Sequence, residues 1–211
     1  MKRKIFVLAV LTSLFATQAN AFEIDKERGF WTGLDAGKHH RFDKPLAEAI
    51  VDLFEDEGAI EVVDFGCGMG HYVKFFQERG FIAQGSDGNP DTAELSKGVA
   101  TVQDLTVSFD LGKKFDWVMS LEVGEHIPKP FETVFIENLI RHCKEGVILS
   151  WAKKGQGGRG HFNCQNNDYI KEVFASYGFE NDEEAEELLR ESSTRYWFKD
   201  TIMVFRRKEE S

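Results

Sequence analysis

The sequence predicts an α/β protein on a mostly parallel sheet with helices on both faces. Three observations carry that expectation. Short apolar runs alternate with stretches of helical period in four successive strand–helix units, which implies parallel strands joined by right-handed crossovers. The run Val62-Val63-Asp64-Phe65 enters the glycine-rich turn Gly66-Cys67-Gly68-Met69-Gly70. Glycine lets such a turn approach a nucleotide-like ligand closely, having no Cβ to collide with it. Two later strands run into acids, Asp87 and Asp104, where open sheets of this kind place their ligands.

Residues 1–21 read as a secretory signal peptide: basic Lys2-Arg3-Lys4, an apolar run from Ile5 to Ala16, and the small-residue site Ala19-Asn20-Ala21. That run is shorter than the roughly 20 residues that span a bilayer, and no later segment is long and apolar enough to do so. Export into a secreted, periplasmic or lumenal compartment is expected, and tethering by the uncleaved segment is the alternative. The three cysteines, Cys67, Cys143 and Cys164, offer no disulfide framework. They suit a reduced compartment, at odds with export.

An arm over residues 22–43 follows. Phe30 to Asp43 is rich in aromatics and glycine and holds the pair His39-His40, without strand or helix period. Asp43 is the expected N-cap of a helix from Lys44 to Glu57, with Pro45 in its first turn. A single domain is expected over 44–208. The strand at Val62–Phe65, the turn and a helix holding Tyr72, Val73, Phe75 and Phe76 come first. A second strand, Phe81–Ser86, ends at Asp87-Gly88, about twenty residues beyond the turn, the distance at which an acid can meet ribose hydroxyls. A third short strand, Ala100–Gln103, runs into Asp104-Leu105. The fourth, Phe115–Glu122, leads into Glu122-Val123-Gly124-Glu125-His126, and a helix spans Phe131 to Cys143. The fifth strand is Gly146–Trp151, an acidic helix covers Asp182 to Ser192, and the last strand is Thr201–Arg206.

The turn spacing is Gly-x-Gly-x-Gly. It lacks the extra residue of the dinucleotide fingerprint and the Gly-Lys-Ser/Thr ending of the phosphate loop. Asp64 ahead of it suits a cationic ligand. With the strand opening Phe115-Asp116-Trp117-Val118, this order resembles the class I S-adenosylmethionine-dependent methyltransferases over roughly Leu46 to Lys208. The resemblance implies a Rossmann-like seven-stranded sheet, mostly parallel with an antiparallel last strand. It implies S-adenosylmethionine as cofactor, bound by Asp64, Gly66, Cys67, Gly68, Gly70, Asp87, Gly88, Asp104, Leu105 and Glu122.

On the acceptor side, Glu122-x-x-Glu125-His126 resembles the metal-binding pattern of small-RNA 2′-O-methyltransferases and a pattern in ubiquinone-pathway O-methyltransferases. A metal set of Glu122, Glu125, His126 and His161 follows, His161 being placed by its loop, and oxygen-rich ligation favours Mg2+ or manganese. Without a metal, His126, His161 and Glu122 are the candidate catalytic residues, for removing an acceptor proton.

Lys153, Lys154 and Arg159, in a loop with four glycines between Gly155 and Gly160, point to an anionic small-molecule acceptor. The net charge of −10 disfavours nucleic acid and anionic membrane as generic partners. An Asn/Asp-Pro-Pro-Tyr motif, which serves methylation of base amino groups, is absent after the fourth strand. Small-molecule O-methylation is the leading expectation. An RNA 2′-O-methyltransferase and a non-catalytic exported binding protein on the same fold are the rivals. The oligomeric state is open.

Overall fold

The structure is a computed structural model that describes residues 22–208; the expected signal peptide lies outside the described residues. A seven-stranded sheet forms the centre. Its strands are β3 (Glu61–Phe65), β4 (Ile82–Asp87), β5 (Thr101–Val102), β6 (Phe115–Leu121), β7 (Cys143–Ser150), β8 (Phe179–Asn181) and β9 (Ile202–Arg207). Their order is β5-β4-β3-β6-β7-β9-β8. All neighbours are parallel except β9, which runs antiparallel to both β7 and β8. The sheet is therefore mostly parallel with an antiparallel last strand.

Both faces are buried, and alternation along the strands divides the apolar residues between them. Val62, Met119, Ile148 and Val204 face one side, against Leu46, Ile50 and Phe54 of α1 (Lys44–Asp56), Val73 and Phe76 of α2 (His71–Gln77) and Leu189 of α6 (Glu183–Ser192). Val63, Val118, Leu149 and Phe205 face the other, against Phe135 and Leu139 of α4 (Glu132–Arg141) and Ile170 and Phe174 of α5 (Asn167–Ser176). Two short helices, α3 (Thr92–Leu95) and α7 (Phe198–Thr201), fill the connections.

Three local expectations need correction. The arm is more ordered than its aperiodic sequence implies. Two-residue strands β1 (Glu23–Ile24) and β2 (Trp31–Thr32) pair antiparallel, and a 3-10 turn covers Leu34–Lys38. Strand β8, only three residues long, has no readable alternation; it completes the seven expected strands at a place the sequence reading left as connection. Asp43 occupies the N-cap position of α1 but does not cap it. Its carboxylate instead accepts from Ser193 Oγ, Thr194 N, Thr194 Oγ1 and Arg195 N at 2.7–3.2 Å. These donors outbid the helix amides and hold the Asp43 carboxyl below its usual range despite burial. Asp43→Ala would leave them without an acceptor, an expected loss of about 3 kcal/mol of stability in urea denaturation.

Asp116, in the Phe-Asp-x-Val opening, has a structural role at the far end of the sheet. It accepts from the Ile60 and Glu61 amides, each at 2.8 Å, and from Lys144 at 2.9 Å, clamping the starts of β3, β6 and β7.

Candidate active site

The strands β3, β4, β5 and β6 end together at one edge, and a cavity of about 430 Å³ opens over them. The turn after β3 runs through three left-handed residues, Gly66, Gly68 and Gly70 (φ +84°, +56° and +70°), which explains why glycine recurs at every second position. Asp87, ending β4, holds the turn: its Oδ2 accepts from the Gly68 amide and its Oδ1 from the Asn89 amide, both at 2.9 Å.

Asp64 lies beneath, 4% exposed, and its carboxyl is pushed well above the usual range by burial and then by the Asp87 charge. Asp64, Gly66, Cys67, Asp87, Gly88, Leu105 and Glu122 line the cavity; Gly68, Gly70 and Asp104 stand behind its wall. The Asp104 carboxylate is already engaged. Its Oδ1 accepts from Thr106, and its Oδ2 pairs with Arg28 at 3.1 Å.

The arm roofs the cavity through Arg28, Phe30, Trp31, His39 and His40, a role that the sequence did not reveal for Arg28. Phe30 packs so closely on Gly88, and the His126 carbonyl on Gly29, that a Cβ at either glycine would collide with them. Arg28 carries no local signal, since its partner lies 76 residues away.

The residues expected on the acceptor side assemble in part as expected. Glu125, His126 and His161 each bring one ligand atom within 4.8 Å of the others. Glu125 is fully buried with neither carboxylate oxygen hydrogen-bonded among the described residues. Burial and the neighbouring Glu122 charge push its carboxyl well up. His126 Nδ1 lies 3.0 Å from the Gly160 carbonyl, which can only accept, so Nδ1 carries the proton and Nε2 the lone pair. Burial first, then the His161 charge, pushes the His126 imidazole down to about 4.

Glu122 departs from the expected four-ligand set. It sits at φ +56°, a strained position for a non-glycine residue, and its Oε1 accepts from Ser150 Oγ and Thr201 Oγ1 at 2.9 and 3.2 Å. These contacts turn it toward β7 and α7, and it is not part of the convergent trio.

The glycine-rich loop is tied down at both ends. Phe162 and Asn163 donate to the Glu125 carbonyl, and Trp151 Nε1 donates to the Asn163 carbonyl at 2.6 Å. Of its basic residues only Arg159 reaches the cavity; Lys153 pairs with Asp200 at 3.2 Å, and Lys154 is exposed.

A family model described as a methyltransferase domain matches residues 38–184, more than half of the chain. The chain belongs to this family, the class I S-adenosylmethionine-dependent methyltransferases. Among curated proteins it is similar to the chloroplastic tocopherol O-methyltransferase of Arabidopsis thaliana, 28% identical over 120 residues, or 50% of this chain and 34% of that one. The chain thus spans about a third of the length of the curated relatives it matches.

Among solved structures, magnesium protoporphyrin IX methyltransferase from Synechocystis PCC 6803 with bound S-adenosylhomocysteine shares the fold. Its TM-score is 0.60 at 17% identity, with 95% of each chain covered. The amino pentose methyltransferase CalS10 from Micromonospora echinaspora does so at TM-score 0.62 and 14% identity, covering 98% of this chain and all of that one.

The cavity suits the family's cofactor on its own chemistry. Asp87 at the end of β4 can accept from a diol, apolar Leu105 beyond β5 can face a base, and the buried Asp64 carboxyl under the turn can ionise to meet a cation. Three residues that line the cavity carry four buried polar atoms with no hydrogen-bond partner among the described residues: Trp31 Nε1, His40 Nε2 and both oxygens of Glu125. Buried polar groups are ordinarily satisfied, so their concentration here marks a place built for a ligand.

Proposed function

We propose that this chain transfers the methyl group of S-adenosylmethionine to a hydroxyl oxygen of a small-molecule acceptor. The carrying observation is the fixed tautomer of His126. The Gly160 carbonyl holds its Nδ1–H, leaving a lone pair on Nε2, and His126 lines the cavity. Bound S-adenosylmethionine supplies an activated methyl on its sulfonium. The protein must align the acceptor with it and take up the hydroxyl proton, and His126 Nε2 does the latter. His161, with its ring edge-on to His126 at 5.1 Å, keeps that imidazole in place. The O-methyltransferase name of the curated relative agrees with an oxygen acceptor.

The acceptor is anionic in this reading. Arg41 and Arg159 line the cavity without a carboxylate partner among the described residues, although acids outnumber Lys and Arg by 36 to 26. Arg159→Ala should raise KM for such an acceptor about tenfold and leave kcat within a factor of two. Equal loss in both constants would place Arg159 elsewhere in the reaction. The overall acidity argues against an RNA end as acceptor.

A second reading rests on the convergence of Glu125, His126 and His161, which could hold a divalent cation that acidifies the hydroxyl. Two imidazoles and one carboxylate suit manganese or zinc better than the magnesium expected from an oxygen-rich set. Transfer of radiolabelled methyl from S-adenosylmethionine to a panel of phenols and hydroxy acids tests both. His126→Ala should abolish transfer in either case. Loss on chelation with recovery on added manganese supports the ion, and indifference to chelator supports His126 as base. Transfer to amines alone would contradict the oxygen acceptor. Export remains part of the proposal: a mature protein whose N-terminal sequence starts at Phe22 would support it, and one starting at Met1 would contradict cleavage.

A further inference from the structure

The hydrogen-bond partners of the glycine turn raise a question about how it binds a ligand. Gly66 and Cys67 donate their amides to the Ser86 carbonyl, Gly68 to Asp87 Oδ2, and Gly70 to the Cys67 carbonyl, at 2.7–3.1 Å. Four of the five amides in the turn are therefore occupied by the protein itself. Only the Met69 amide is left for an anionic group arriving there, so a second donor must come from elsewhere.

The order of the strand ends says which part of the cofactor arrives. The sheet runs β5-β4-β3-β6. S-adenosylmethionine is a linear molecule: base, ribose, sulfonium, amino acid. With the base toward Leu105 after β5 and the ribose at Asp87 after β4, the amino-acid end falls over the turn after β3. That end carries a carboxylate.

One side chain waits at that place. The imidazole of His40 lies directly over Gly68, close enough that a Cβ on Gly68 would collide with it. His40 lines the cavity, and its Nε2 is buried with no hydrogen-bond partner among the described residues. The Trp31 ring packs edge-on against it at 5.4 Å and limits its movement.

We propose that His40 binds the α-carboxylate of S-adenosylmethionine, donating from Nε2 above the occupied amides of the turn. This inference rests on the cofactor reading of the cavity. It gives the arm a chemical part in cofactor recognition, and it accounts for the absence of a Cβ at Gly68: the glycine leaves room for the imidazole.

The test uses two ligands that differ at the amino-acid end. Calorimetry on the full chain would compare S-adenosylhomocysteine with 5′-methylthioadenosine, which has the same base, ribose and sulfur but no amino-acid carboxylate. His40→Phe keeps a ring over Gly68 and removes the donor. It should weaken S-adenosylhomocysteine about tenfold and leave 5′-methylthioadenosine within twofold. His40→Gln, which keeps a donor, should recover most of the loss. Should the Phe variant not fold, as judged by its melting transition, His40→Ala takes its place with the same expected selectivity. Equal weakening of both ligands would show that His40 merely packs the cradle, and no change in either would remove it from the site; both results overturn the inference. Failure of the unaltered protein to bind S-adenosylhomocysteine would instead overturn the cofactor reading beneath it.

Discussion

Asp87→Ala should weaken S-adenosylhomocysteine binding by about 1–3 kcal/mol, roughly fivefold to more than a hundredfold. Two losses combine in that figure. A carboxylate at the end of β4 is the natural acceptor for a ribose diol, and alanine removes it. The same carboxylate holds the Gly68 and Asn89 amides at 2.9 Å, so its removal also frees the turn that forms the cavity floor. Asp87→Asn keeps one acceptor oxygen and should fall between the two. Asp104→Ala is the contrasting variant. Its carboxylate is already engaged by Thr106 and Arg28, so its effect should come through release of the arm. Calorimetric affinity within twofold of the unaltered protein for Asp87→Ala would remove that residue from the cofactor site.

Asp64→Asn should stabilise the ligand-free protein at neutral and alkaline pH. Burial, then the Asp87 charge, holds the folded Asp64 carboxyl well above the value near 4 of an unfolded chain. Between those two values the folded state binds more protons than the unfolded state. Stability therefore falls as pH rises through that window, by about 1.4 kcal/mol per unit at full slope. Asparagine does not titrate and lacks this loss. Urea denaturation from pH 4 to 8 should show the two proteins alike near pH 4 and the variant increasingly ahead above it. Parallel curves would contradict the burial of a titrating carboxyl there. The gain should come with weaker binding of S-adenosylmethionine, since the variant lacks the anion that a cationic ligand meets.

Much of the sheet was legible because its strands are buried on both faces. Val62–Phe65, Phe115–Leu121 and Ile202–Arg207 are near-continuous apolar runs, and each is bounded by turn residues or acids. The glycine turn and Asp87 were legible because local backbone conformation dictates the first and strand spacing the second. Contacts between distant segments were not. The Asp43 carboxylate has a local cap as its default partner, and the group that wins it lies 150 residues on. Arg28 and Trp31 enter the cavity only because β1 and β2 pair and turn the arm over the sheet. Glu122 kept its place on the cavity wall but left the expected ligand set, since Ser150 and Thr201 meet it from two later elements. A loop position sufficed to bring His161 beside His126, with ring centroids 5.1 Å apart. The Gly160 carbonyl that sets the tautomer of His126 could not be read from the same spacing.

In the proposed complex this cavity holds the cofactor, with its base toward Leu105, its ribose on Asp87 and its amino-acid end beneath His40. A crystal structure of the full chain grown with S-adenosylhomocysteine tests it most directly. Density for the ligand is expected over the ends of β3, β4 and β5, with both ribose hydroxyls within hydrogen-bond distance of Asp87. Clear density for the ligand at any other site, or an empty cavity at saturating ligand, would contradict it.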